Sequence, residues 1–208
     1  MLIAISRRNF LFAASAAPLP GKLKPTPLQT IGPFFPAERA WDHDSDLSQV
    51  KGKSGRAKGD IYYVTGRVTD VKGEPVGGAE IELWQANAAG RYRHGADQNP
   101  APLDPNFEGY AIVKTDSDGQ YRFKTIKPGA YGAGPNLTRP PHIHVDVTGQ
   151  QSRIISQMYF PGDPEQEKDQ IFQRVKRKEA LVAKILEPER GMEPGAKLAR
   201  WDIVLNRG

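Results

Sequence analysis

From Ile61 onward the chain is written as short segments of alternating character separated by turn residues, and that rhythm leaves room for little except a β-rich domain. Residues 61–69 read as a strand, and Asp70-Val71-Lys72-Gly73-Glu74-Pro75 supplies the turn after it. In residues 79–85, Ile81 and Leu83 alternate with Glu80 and Glu82, while Trp84 falls on the glutamate face. Residues 109–115 and 120–126 flank the turn Asp116-Ser117-Asp118-Gly119, and Lys127-Pro128-Gly129 follows as another turn. Residues 142–148, 154–159 and 197–205 complete the strands; 165–173 read as a short helix and 178–186 are ambiguous. The expectation is an all-β fold, an antiparallel β-sandwich with long loops and one or two short helices.

Within this pattern, residues 86–107 have no strand character, and so long a loop in a compact domain calls for a task. Residues 18–60 are rich in proline, glycine and charge and read as an N-terminal arm packed on the domain of residues 61–208. Its one apolar cluster, Thr30-Ile31-Gly32-Pro33-Phe34-Phe35-Pro36, is expected to be pinned against the core. Residues 41–47, WDHDSDL, read as a solvated acidic loop rather than a ligand set.

Residues 1–17 resemble a twin-arginine export signal, with Ser6-Arg7-Arg8-Asn9-Phe10-Leu11 before a short apolar run. That run is far shorter than the roughly 20 residues of a membrane span. The expected destination is the periplasm or beyond, otherwise the cytoplasm. A net charge of +5 without basic clusters interleaved with aromatics gives no case for nucleic acid.

The absence of cysteine excludes disulfides, thiolate metal sites and cysteine nucleophiles. Of four histidines, His142 and His144 share one tripeptide that opens a strand, so both rings point to one face and can share a metal ion. Arg139 sets a fixed positive charge just before them, and Pro140-Pro141 stiffens the approach. Tyr92, in the long loop between Arg91 and Arg93, and Tyr131, before a glycine-rich approach to the histidines, are candidate phenolate donors for ferric iron. The competing reading is of histidines and tyrosines that merely pack.

Several separated stretches carry a specific likeness. LWQANAAGRYRH (residues 83–94), APLDPNF (101–107), TDSDGQYRFKTIKPGAY (115–131), RPPHIH (139–144) and QMYFPGDP (157–164) resemble the intradiol ring-cleaving dioxygenases, in particular the β-type subunit of protocatechuate 3,4-dioxygenase. The resemblance runs from about Thr30 to Pro164. It implies a non-haem Fe(III) held by Tyr92, Tyr131, His142 and His144, with Tyr131 leaving the metal when substrate binds. It implies that Arg139 stabilises charge on the substrate ring, and that Trp84, Gln157, Thr30, Gly32 and Pro33 line or close the pocket. The implied reaction cleaves a catechol-type diol with O2 to a cis,cis-muconate-type diacid, in a homo-oligomer without a membrane span.

Three departures stand out. The segment between Tyr131 and Arg139 is short and has Gly132 and Ala133 where many relatives carry tryptophan; the helical extension of the catechol 1,2-dioxygenases is missing; and an export signal is unusual for a cytoplasmic pathway. Pieces such as VTDVKGEPVGGAEIELW also resemble non-catalytic sandwich modules of surface proteins, and a zinc or copper enzyme using only the two histidines is a third reading. Neither alternative gives a reason for the two tyrosines.

Overall fold

The structure is a computed structural model, and it describes residues 22–36, 44–134 and 137–208. The export-signal stretch and residues 41–43 lie outside these. The strands are β1 (Ile61–Asp70), β2 (Glu80–Trp84), β3 (Tyr110–Lys114), β4 (Gln120–Ile126), β5 (Tyr131–Gly134), β6 (Leu137–Arg139), β7 (His142–Thr148), β8 (Arg153–Tyr159), β9 (Lys184–Leu186), β10 (Lys197–Arg200) and β11 (Ile203–Leu205). The only α-helical turn among the described residues is α1 (Gln170–Gln173), between two 3-10 turns at Pro164–Glu167 and Lys178–Leu181. The ambiguous stretch therefore divides into a 3-10 turn and β9.

Two sheets face each other. One has the strand order β3-β2-β7-β8, all antiparallel; the other is built on β1, with β4 on one side and β10 and β11 on the other. Alternation fixes what each sheet turns inward. Ile81, Leu83, Ile143, Val145, Val147 and Met158 meet Val64, Val68, Phe123, Ile203 and Leu205 in one buried cluster. Each such side chain, fully buried, contributes about 1.5–3 kcal/mol.

The antiparallel sandwich has one local exception, because β10 and β11 run parallel to β1. Residues 197–205 form two strands rather than one, broken at Trp201 and Asp202. There the Asp202 carboxylate accepts from the backbone N–H of Arg67, and the Trp201 indole donates to the Ala180 carbonyl. The break presses the Trp201 carbonyl onto β1: a Cβ added at Gly66 would lie 1.9 Å from that oxygen.

Residues 22–36 tie the two sheets together along one side. Leu23 N–H donates to Val71 and Thr26 N–H to Val204 on the β1 sheet, and Gln29 N–H donates to Ile155 of β8 in the other. The Ser156 hydroxyl donates to the Pro27 carbonyl at 2.8 Å. Phe34 and Phe35 do not reach the sandwich core; they pack on a separate aromatic cluster of Trp84, Tyr92, Tyr110 and Tyr131.

Gly66→Ala should cost about 1–3 kcal/mol through overpacking. Urea unfolding of the variant measures it, and an unchanged midpoint would mean that the Trp201 break is not held against β1 as described.

Candidate metal centre

Strand β7 positions the first two donors. It pairs with β2 so that His144 lies opposite Trp84, and with β8 so that His144 faces Gln157 and His142 faces Tyr159. All five side chains share the sheet face that looks away from the sandwich core, yet each is buried. Trp84 lies flat on the His144 ring, with centroids 4.9 Å apart and planes at 8°.

The two imidazoles converge. His142 Nε2 lies 3.1 Å from His144 Nε2, and His142 Nδ1 donates to the Pro140 carbonyl at 2.6 Å. That bond places the proton on Nδ1 and leaves Nε2 free to act as a donor atom. Two nitrogens about 2.1 Å from one metal ion at roughly a right angle are about 3 Å apart. Burial, then the neighbouring His144 and the Arg139 charge, holds His142 well below the usual imidazole pKa. Burial, then Arg139, lowers His144 to about 3. Both rings are therefore neutral at ordinary pH, as metal ligands must be.

The long loop delivers the third donor. Its ends are clamped by the bond from Gln85 N–H to the Gly109 carbonyl. Inside it, Asn87 Oδ1 accepts from Ala89 and Arg91, Asn87 Nδ2 donates to Pro102, and Asp97 Oδ2 accepts from the Tyr92 N–H at 2.7 Å. The absence of a strand thus does not leave this segment loose. Gly90, at φ +78°, allows the loop to touch the start of β5, where a Cβ would meet the Ala130 carbonyl at 2.3 Å. Tyr92 and Tyr131 are brought edge to face, 5.3 Å between centroids, with Tyr92 6.2 Å from His144 and Tyr131 5.7 Å from His142. The Tyr92 hydroxyl is buried and makes no hydrogen bond of ordinary geometry, although the Tyr131 hydroxyl is close enough to act on it as a hydrogen-bonding neighbour.

Burial, reinforced by Tyr131, raises the Tyr92 pKa well above that of a free phenol. Burial also raises Tyr131, against the opposing charge of Arg139. Without a cation between them, both phenols stay protonated. No group of three His, Asp or Glu side chains among the described residues is placed to hold a metal, and the phenols beside His142 and His144 are those of Tyr92 and Tyr131.

The sequence does not announce that Tyr131 and Arg139 share a hairpin. Strands β5 and β6 pair so that the two residues are direct partners, with a register shift between Gly132 and Gly134. Arg139 is buried and held on two sides: Nε donates to Asp169 Oδ2 at 3.1 Å, and Nη2 donates to Gln157 Oε1 at 2.7 Å and the Tyr159 hydroxyl at 3.0 Å. Gln157 in turn donates to the Thr30 carbonyl at 2.8 Å. Gly32, at φ +73°, leans on the histidines, and a Cβ there would stand 3.0 Å from His144 Cε1. Pro33 is exposed in the adjoining turn.

Of the expected residues, Tyr92, Tyr131, His142, His144, Arg139, Gln157, Trp84, Thr30 and Gly32 gather here, and Pro33 stands at the rim. Tyr159, Asp97 and Asp169 join them without having been singled out, and Phe34, expected against the core, packs on Tyr92 with centroids 4.7 Å apart. A cavity of about 550 Å³ borders Phe34, Trp84 and Tyr92 on the side of His94 and Tyr110. It adjoins the four candidate donors without containing them, since of these only Tyr92 lines it.

Known proteins share this architecture. A family model described as Dioxygenase matches residues 30–207. The protocatechuate 3,4-dioxygenase beta chain of Burkholderia cepacia is 52% identical over 145 residues, covering 68% of this chain and 62% of that one. Catechol 1,2-dioxygenase 1 of Acinetobacter lwoffii is 32% identical over 196 residues, covering 87% of this chain and 60% of that one. The chain thus spans less than two thirds of either relative. The dioxygenase domain of a dioxygenase–carbohydrate-binding protein fusion from Streptomyces sp. SirexAA-E superposes with a TM-score of 0.67 at 25% identity, over 89% of this chain and all of that one. With the matched family model spanning most of the sequence, the chain belongs to the intradiol ring-cleaving dioxygenases.

Proposed function

We propose that this chain is a non-haem Fe(III) dioxygenase that cleaves a catechol-type aromatic diol with O2, between its two hydroxylated carbons, to a cis,cis-muconate-type diacid. The observation that carries this reading is the convergence of His142 and His144 Nε2, 3.1 Å apart, beside the buried Tyr92 hydroxyl, which makes no hydrogen bond of ordinary geometry. An orphaned buried hydroxyl is costly unless something absent satisfies it.

Tyr92, Tyr131, His142 and His144 would hold the iron. Two phenolates and two neutral imidazoles suit a ferric ion and offset two of its three charges. When bound there, the iron supplies Lewis acidity toward a chelating diol.

The chain's own groups do the rest. Tyr131 is the less buried of the two phenols, and it opens onto the exposed run Gly132 to Gly134. Its phenolate oxygen is the proton acceptor for one catechol hydroxyl, since burial makes that oxygen a strong base. Arg139 is the preorganised cation; its field reaches Tyr92, Tyr131, His142 and His144. A fixed positive charge in a dry site stabilises negative charge developing on the ring. The aromatic floor of Trp84 and Phe34 keeps water from the donor atoms. Gly132 is exposed, with open space where a Cβ would stand, so no side chain at that position would limit a ring substituent on the diol.

Loading the metal-free protein with Fe(III) near pH 7 should release about two protons per iron, one from each phenol, and turn it burgundy. A pH-stat titration with a visible spectrum checks both; colourless protein, or colour unchanged in Tyr92→Phe and Tyr131→Phe, favours the non-catalytic sandwich module.

Arg139→Ala should keep its iron and lose turnover by about 10²-fold, the order for removing one preorganised charge donor. Oxygen uptake over a panel of catechols and hydroxyquinols measures it, and near-normal kcat would refute the role.

Because the folded state holds both imidazoles neutral while the unfolded chain protonates them near pH 6.5, their stabilising contribution is present above that pH and lost as pH falls. At pH 5 the metal-free protein should have lost about 2 kcal/mol for each histidine. Urea midpoints at pH 7 and 5 test this; a slope that His142→Asn does not flatten would contradict it.

A further inference from the structure

Asp169 is fully buried, and its two oxygens do two separate things. Oδ1 accepts from the Ile171 N–H at 3.0 Å and caps α1; Oδ2 accepts from Arg139 Nε at 3.1 Å. The helix that carries it is seated independently. Phe172 packs on Tyr159 with centroids 4.7 Å apart, and Gln173 Nε2 donates to the Gln166 carbonyl at 2.8 Å. Arg139 therefore has an anchor on each flank. Asp169 holds the Nε edge, and Gln157 with Tyr159 holds Nη2.

A guanidinium is planar with five N–H donors, so fixing Nε and Nη2 fixes the direction of Nη1 as well. The remaining fork of the cation, at Nη1, thus takes its direction from the bonds at Nε and Nη2. The charge is also balanced where it must be. A buried guanidinium without its carboxylate would be unstable in that position and would turn toward water.

We propose that Asp169 is the positioning residue for Arg139: one carboxylate oxygen fixes the helix end, the other fixes the guanidinium, and the pair holds the cation in the single orientation that faces the diol. This rests on the ring-cleavage reading given above. Serine in place of Asp169 keeps the cap, because its hydroxyl still accepts from the Ile171 N–H, but it cannot hold Arg139. Asparagine keeps only one acceptor oxygen and must give up one of the two bonds.

The test uses the iron-loaded, full-length chain. Asp169→Ser should lower kcat about tenfold or more, since small misplacements of a positioned group are costly, while iron content and the visible band stay as in the wild type. KM should change by less than about threefold. In an Arg139→Ala background the same substitution should cost less than about twofold further, because its effect runs through Arg139. A kcat within about twofold of wild type for both Asp169→Ser and Asp169→Asn would overturn the proposal, as would an equal loss with and without Arg139.

A second readout does not need turnover. In the metal-free full-length chain the Arg139 Nε–H should exchange with solvent at least about tenfold faster in Asp169→Ser than in wild type. Unchanged exchange would overturn the proposal. A wild-type protein with no activity on any diol, but with this acceleration intact, would refute the ring-cleavage reading and leave the Asp169–Arg139 anchor standing.

Discussion

Everything distinctive about this molecule depends on the pleat of one strand. In β7 the side chains of Ile143, Val145 and Val147 go into the sandwich core, so His142 and His144 must emerge together on the opposite face. A one-residue slip in register would bury both imidazoles among aliphatics and turn the apolar residues outward. The inner residues hold that register, and in doing so they hold the two Nε2 atoms at 3.1 Å. The core thus stabilises a local arrangement that is unfavourable alone: two neutral imidazoles brought together at their Nε2 atoms in a dry setting.

Such a face cannot be left open to water, and three separate segments cover it. Residues 22–36 run from the edge of one sheet to the edge of the other and lay Gly32 over His144. The loop after β2, cross-braced through Asn87 and Asp97, brings in Tyr92. The β5–β6 hairpin sets Tyr131 directly across from Arg139. Each segment is fixed in its own way, the arm by backbone bonds to both sheets, the loop by side-chain to backbone bonds and the hairpin by its short ladder, which lets each supply a functional group at a defined place. Glycine is used where backbone must come very close, as at Gly90 against Ala130.

Much of this is written locally in the chain. The strand at residues 120–126 and the one at 142–148 have the bounds that alternation and turn residues predict, because both are long enough for the period to be unambiguous. The His-x-His pair, the two tyrosines and Arg139 stand out by residue type and context. The parallel pairing of β10 and β11 with β1 leaves no local trace, since a parallel neighbour is chosen by the whole topology. The hairpin at residues 131–139 was hidden by its glycines, which read as loop but here allow a shifted register. Asp169 falls inside the helix expected over residues 165–173; only the folded chain reveals that it caps the shorter α1 and that its second oxygen meets Arg139, thirty residues away in sequence. The apolar arm cluster, expected against the core, instead lies half-buried, with Phe34 and Phe35 on an aromatic layer outside the main core.

The central claim is that four side chains from three segments act on one ion. A crystal structure of the protein loaded with ferric iron tests this most directly. The account predicts the phenol oxygens of Tyr92 and Tyr131 and the Nε2 atoms of His142 and His144 all within about 2.0–2.3 Å of a single iron. Iron bound elsewhere, or one of these side chains turned away from it in the substrate-free protein, would contradict the claim.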